Sequence, residues 1–213
     1  GLITDDRLFF QVGGLSGGSS NALANVDQLN QVGFGLSTTN ALTNQAIPQL
    51  SFGRSDFATA TLLDGRVYIF GGRFGGTTAT STLVTGIDSV LEYNPRTNVL
   101  RQRNNTGFTP RYGLGAAAVR TSVGLRIYAI GGWNSTAGNV NPVTTVEEYN
   151  PDTDTWRTVT ALTTGVAEFG IAVAGGISSA DPVQLIHVVG GNTGTDATPV
   201  DSGDVQRFSW ANP

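Results

Sequence analysis

Four runs of apolar, strand-forming residues each close on a pair of glycines: RLFFQVGG at 7–14, GRVYIFGG at 65–72, LRIYAIGG at 125–132 and LIHVVGG at 185–191. The first glycines of the pairs, Gly13, Gly71, Gly131 and Gly190, stand 58, 60 and 59 residues apart. A fixed period of this kind marks a repeat architecture. Each pair (Gly13-Gly14, Gly71-Gly72, Gly131-Gly132, Gly190-Gly191) is followed by a polar loop and then by a second strand: NVDQLN at 25–30, SVLEYN at 89–94, TVEEYN at 145–150 and DVQRFS at 204–209.

Other elements keep the same phase. FATATLL at 57–63, LGAAAVR at 114–120 and FGIAVAG at 169–175 precede three of the glycine runs and carry small apolar residues, as a strand crowded near an axis must. Asp64-Gly65 predicts a hairpin between this strand and the next. YNPRTNVL and YNPDTDTW predict a second hairpin, because Asn-Pro followed by polar residues is turn chemistry. No segment has a helical period. The unit is thus a four-stranded antiparallel meander, with blades at about 1–53, 54–110, 111–166 and 167–213 of a single domain, 1–213. Stacked radially, such meanders make a β-propeller, with the glycines at a sharp, crowded turn after the second strand.

The double glycine, the Tyr of EYNP (Tyr93, Tyr149) and the Trp of TDTW (Trp156) resemble the kelch repeats, most closely over 54–110 and 111–166. The pattern is departed from at Leu29, in place of the Tyr, at Leu100, in place of the Trp in the second repeat, and in a last blade that stops early. The resemblance implies an all-β propeller of kelch-type blades, about four of them here, in a larger ring or an assembly. Kelch propellers bind proteins, bind sugars or carry enzymes.

At the ends, LITDDRLFFQVGG aligns with TLLDGRVYIFGG, so the chain is expected to begin inside the first strand of a blade and to end after the third strand of another. Unpaired blade edges invite strand addition. Residues 2–12 and 204–210 are therefore expected to contact protein outside the segment, either further copies of the chain or the rest of a longer one.

Composition narrows the chemistry. There are 12 Lys plus Arg, all of them Arg, against 16 Asp plus Glu, and no basic run, which argues against nucleic-acid binding. No apolar run is long enough to span a membrane as a helix. Cysteine is absent, which removes disulfides, thiolate metal sites and cysteine nucleophiles. The one histidine, His187, occupies the position of Phe10, Tyr68 and Tyr128, which reads as a core filler rather than a base. Kelch oxidases need histidine copper ligands and a cysteine-linked tyrosine, which this composition does not supply. Asp152 and Asp154 are turn residues, and the spacing of Asp196, Asp201 and Asp204 fits no calcium loop. No catalytic residue, metal ligand or cofactor is assigned.

Binding is the reading that remains. Loops between the second and third strands, and the lead-ins to the first strands, emerge on one face. That face collects Arg54, Arg73, Phe74, Arg111, Trp133, Asn134 and Asn192, with Asp56 and Glu168 beside them; the kelch resemblance implies use of the positions of Arg54 and Arg111. Aromatics beside arginine make interaction hot spots. The expected function is a non-enzymatic protein-binding or assembly module; the alternative is the sugar-binding or catalytic part of a larger secreted kelch enzyme. Sequons at Asn104 and Asn134, few charges and no lysine point to an extracellular or cell-surface location, with a glycan as a second class of partner.

Overall fold

The computed structural model of the chain describes residues 10–12, 24, 26–29, 36–40, 43, 45–74, 86–134, 141–175 and 184–208. Every regular element among them is a β-strand. In the second blade Ala58–Thr61, Val67–Phe70, Val90–Asn94 and Val99–Arg103 pair antiparallel in chain order. The third blade repeats the meander with Gly115–Thr121, Gly124–Ile130, Val146–Asn150 and Thr155–Thr158. Three strands of the fourth are described, Gly170–Gly175, Gln184–Val189 and Val205–Phe208. Three of the first are described too, Phe10–Val12, Val26–Leu29 and Leu36–Ser37. The architecture is the all-β series of antiparallel blades expected from the repeat. Gly13 and Gly14, residues 2–9 and residues 209–210 lie outside the described residues.

Strand alternation puts successive residues on opposite sides of a blade, and both sides of the third blade find a neighbour. Ala58, Ala60, Tyr68, Phe70 and Val90 of the second blade pack on Leu114, Ala116, Ile127, Ala129 and Tyr149 of the third. The third blade's other side, Ala117, Val119, Tyr128, Ile130 and Val146, packs on Val166, Ile186, Val188 and Phe208. Small residues on the first strands let the blades converge, and larger ones further out fill the widening wedge.

The repeated tyrosines, Tyr93 and Tyr149, work at the outer turn. Tyr93 donates to Asn98 Oδ1 at 2.9 Å and Tyr149 to Asp154 Oδ1 at 2.6 Å. Asn98 and Asp154 carry φ of +54° and +58°, a conformation that Asn and Asp tolerate better than most residues. Trp156 lies 4.9 Å from the Tyr149 ring and 5.0 Å from Phe108, and its indole N–H donates to Asn104 O at 2.9 Å. The third blade is thereby tied to the end of the second.

The glycine pair marks where two blades meet. A Cβ on Gly71 would lie 2.5 Å from the carbonyl oxygen of Arg111 in the next blade, and one on Gly72 would lie 2.7 Å from Ser55 O in its own. The Gly72 N–H donates to that same Arg111 carbonyl at 3.0 Å. Both glycines have positive φ, 63° and 96°. Gly71→Ala is expected to lose at least about 3 kcal/mol by backbone collision plus a left-handed conformation. Gly190→Ala, whose Cβ meets nothing nearer than Ser202 O at 3.3 Å, should lose only about 1 kcal/mol from its positive φ. Chemical denaturation of the two variants checks the difference.

Candidate functional site

The loop face is built by repetition of a small cap. The residue after each glycine pair bridges the lead-in to the same blade's first strand: Arg73 to Ser55, Trp133 to Tyr112, Asn192 to Ala167. Each also bridges the returning loop, at Gly86, Pro142 and Asp201. One residue further along each lead-in, Asp56, Gly113 and Glu168 take φ of 53°, 63° and 51°. That conformation turns their peptide groups toward the neighbouring blades. Gly113 N–H donates to Asp56 O at 2.7 Å, and Glu168 N–H to Gly113 O at 2.8 Å, so hydrogen bonds step from blade to blade.

On this scaffold three blades bring their side chains together. Arg73 is buried and forms ion pairs with Asp56 of its own blade and, at 2.6 Å, with Asp196 from the fourth blade's loop. Its guanidinium lies 4.7 Å from the centre of the Tyr112 ring, and the Tyr112 hydroxyl donates to Asp196 at 3.2 Å. Tyr112 packs on Trp133 at 5.5 Å, and the Trp133 indole N–H donates to Gly194 O at 3.0 Å. Burial pulls Arg73 toward the neutral form, but the two carboxylates outweigh it and its pKa rises. Glu168 is exposed and makes no ion pair or hydrogen bond through its side chain among the described residues. Partial burial, then repulsion from Asp56 and Asp196, raises its carboxyl pKa. Three carboxylates against one arginine leave this face acidic.

The residues expected at this face divide sharply. Phe74 is 48% exposed and packs on Phe52 at 4.7 Å, and Asn134 is half-buried. Trp133 and Asn192 are buried, Trp133 under Gly194 and Asn192 as acceptor for Gly194 and Val200 N–H at 2.7 and 2.9 Å. Arg54 and Arg111 have 0% exposure, so the expectation that both offer guanidinium groups to a ligand gives way to an internal role. Arg111 donates to Gly131 O, Ala129 O and Thr109 O and pairs with Glu147 at 2.6 Å. Arg54 donates to Gly71 O and Ser89 Oγ, has no carboxylate partner among the described residues, and leaves Nε without a hydrogen bond. Burial lowers its pKa to about 10.

Asp196 and Tyr112 were not foreseen as the centre of this face. Asp196 stands in an acidic loop with no repeated position to flag it, and Tyr112 aligns with Ser55 and Ala167. Glu147 carried one usable signal: an acidic residue at an inward strand position, where the second blade has Leu91, in the same repeat as a buried arginine.

Elsewhere, His187 is half-buried opposite Arg207 on the fourth blade, away from the loop cluster. No group of three or more Asp, Glu or His is arranged for a metal among the described residues. A cavity of about 320 Å³ lies on the third blade beside Val123, Arg126, Glu148, Trp156 and Arg157. Its carboxylate is already engaged, pairing with Arg157 at 2.8 Å and accepting from Tyr128 at 2.7 Å. Burial pushes the Glu148 pKa up, but those bonds prevail and hold it below the usual range.

Residues 110–163, which include all four strands of the third blade, match the family model described as Kelch motif. No curated protein matches the chain.

Two outcomes are expected from the buried carboxylates. Glu147→Ala leaves Arg111 charged, buried and unpaired, and should cost about 3–5 kcal/mol in denaturant unfolding. Glu148 has a folded pKa below its unfolded one, so its contribution is full above the ordinary carboxylate range and is lost as pH falls through the folded value. The melting-temperature difference between the parent and Glu148→Gln should therefore be largest near neutral pH and vanish in acid.

Proposed function

We propose that this kelch-repeat chain is a non-enzymatic interaction and assembly module that takes protein partners on its loop face and joins further protein at its open blade edges. The observation that carries the first half is the convergence of three blades on a rigid, acidic, aromatic-floored surface. Arg73, Tyr112, Trp133 and Asp196 lock one another in place, and Glu168 and Phe74 are left free to meet a partner. Preorganised side chains around an aromatic patch favour binding because little entropy remains to be lost. The charge balance favours a cationic peptide segment, whose arginine or lysine would face Glu168. Kelch domains in general mediate protein interactions, which agrees with this reading.

An extracellular or cell-surface location accompanies the proposal. Asn104 of the first sequon is exposed, and its side-chain N–H₂ donates to Asp154 O at 3.0 Å. A glycan at that position would project into solvent.

Selection of binding peptides from a random displayed library tests the loop face. Enrichment of basic peptides is expected, with binding weakened about tenfold or more by Phe74→Ala and by Glu168→Gln while melting temperatures stay within about 2 °C. Because the Glu168 pKa is raised, binding of a cationic peptide should weaken on acidification sooner than an ordinary glutamate would allow. Peptides indifferent to both substitutions, or a monosaccharide ligand in their place, would refute the assignment.

A further inference from the structure

The second and third blades repeat one set of side chains toward their hairpin ends. Arg66, Tyr68, Glu92 and Arg101 in the second correspond to Arg126, Tyr128, Glu148 and Arg157 in the third. In both, the tyrosine hydroxyl donates to the glutamate, at 2.5 and 2.7 Å, and the arginine of the fourth strand pairs with it, at 2.7 and 2.8 Å. The second blade adds one group that the third lacks. Asp64, two residues before Arg66, accepts from the Arg66 Nε–H at 2.7 Å and from its backbone N–H at 3.0 Å. Two residues before Arg126 stands Gly124.

Where the third blade lacks a carboxylate it has room and unused donors. A Cβ on Gly124 would lie 3.3 Å from Arg126 Nη1, so this position faces the guanidinium. The cavity of about 320 Å³ opens here, lined by both arginines, Glu148, Val123, Asn150 and Thr155. Arg126 is 9% exposed; it donates to Leu125 O and Val123 O at 2.7 and 3.2 Å and stays 3.5 Å from Glu148. Arg157 uses Nε and Nη2 on Glu148, and its Nη1 makes no hydrogen bond among the described residues. Two arginines therefore share one glutamate, which Tyr128 also engages. The exposed Asp152, whose Oδ2 stands 3.8 Å from the same Cβ position, forms no ion pair with Arg126 among the described residues.

We propose that this cavity binds the carboxylate of a small hydroxylated acid, in the role that Asp64 plays in the second blade. Charge sets the class: two guanidinium groups and one carboxylate on the lining call for a single negative charge, and Asp152 at the rim opposes a second. Guanidinium and carboxylate form charge-assisted hydrogen bonds, two at once where the planes align. Asn150 and Thr155 offer an amide and a hydroxyl to the hydroxyl groups of the ligand. Ligand sites span about 300–1,000 Å³, and this one is at the small end, which suits an acid the size of one sugar ring. The site lies at the hairpin end of the third blade, away from the loop face, and does not depend on the proposed function.

Titration of the purified chain with D-glucuronate tests this, followed by nuclear magnetic resonance at the arginine Nε–H groups and at the indole N–H of Trp156, which also lines the cavity. Saturable shifts are expected in the millimolar range, with acetate weaker and D-glucose without effect at the same concentrations. Gly124 has φ of +113°, which strains any side chain, so the chain's own carboxylate is restored at the neighbouring Val123, which is 53% exposed. Val123→Asp should weaken glucuronate binding at least about tenfold, while Val123→Asn, of the same size and uncharged, keeps it within about threefold. Both variants should hold the parent melting temperature, because the position faces solvent. Phe74→Ala and Glu168→Gln should leave the titration unchanged, which separates this site from the loop face. Absence of a saturable shift, equal binding of glucose and glucuronate, or an equal effect of Val123→Asp and Val123→Asn would each overturn the proposal.

Discussion

The structure depends on a close backbone approach at one repeated point. After the second strand of a blade the chain passes so near the next blade's lead-in that the carbonyl of Arg111 stands where a Cβ of Gly71 would be. Only glycine permits the approach, and the approach brings the following amide into hydrogen-bonding range of that same carbonyl. One contact thereby sets the distance between blades, the exit direction of the loop and the height of the lead-in. The caps and the loop face inherit their geometry from it.

Buried arginine is the second element that the lead-ins use. Arg111 and Arg54 both reach down to carbonyls at the ends of second strands, but only Arg111 has a carboxylate, Glu147. Where Glu147 stands in the third blade, the second has Leu91, which packs with Ile47, Leu50 and Ile69. The second blade thus exchanges an ion pair for apolar contact, and Arg54 remains desolvated, with a lowered pKa and a nearby Phe52 ring at 4.9 Å. A buried pair and a hydrophobic replacement can be close in energy, because the desolvation of the charges offsets much of their attraction. Two solutions at one repeat position are therefore physically compatible with one fold.

The loop face shows how side chains from three blades stiffen one surface. Asp196 reaches from the fourth blade to Arg73 of the second, passing the hydroxyl of Tyr112 on the third. Polar groups held in a chain of this kind lose little freedom on binding, and the charge left over after pairing is carried by Glu168 at the surface. The kelch motif matched at 110–163 lies in the blade at the centre of this arrangement.

The amino-acid pattern alone determined the blade. Period-two apolar runs, Asn-Pro turns and glycine pairs at a period near 59 residues are local signals, each tied to a backbone conformation or a buried strand face. Tyr93, Tyr149 and Trp156 were legible for the same reason. What the sequence left open is which way a lead-in side chain points. Arg54, Arg111 and Trp133 have the chemistry of a binding surface, yet their burial follows from carbonyls and rings supplied by residues many positions away. The meeting of Arg73 with Asp196, 123 residues apart, has no local trace, because it arises only when three blades stack about a common axis. Repetition can be read along one dimension; the contacts between repeats exist only in three.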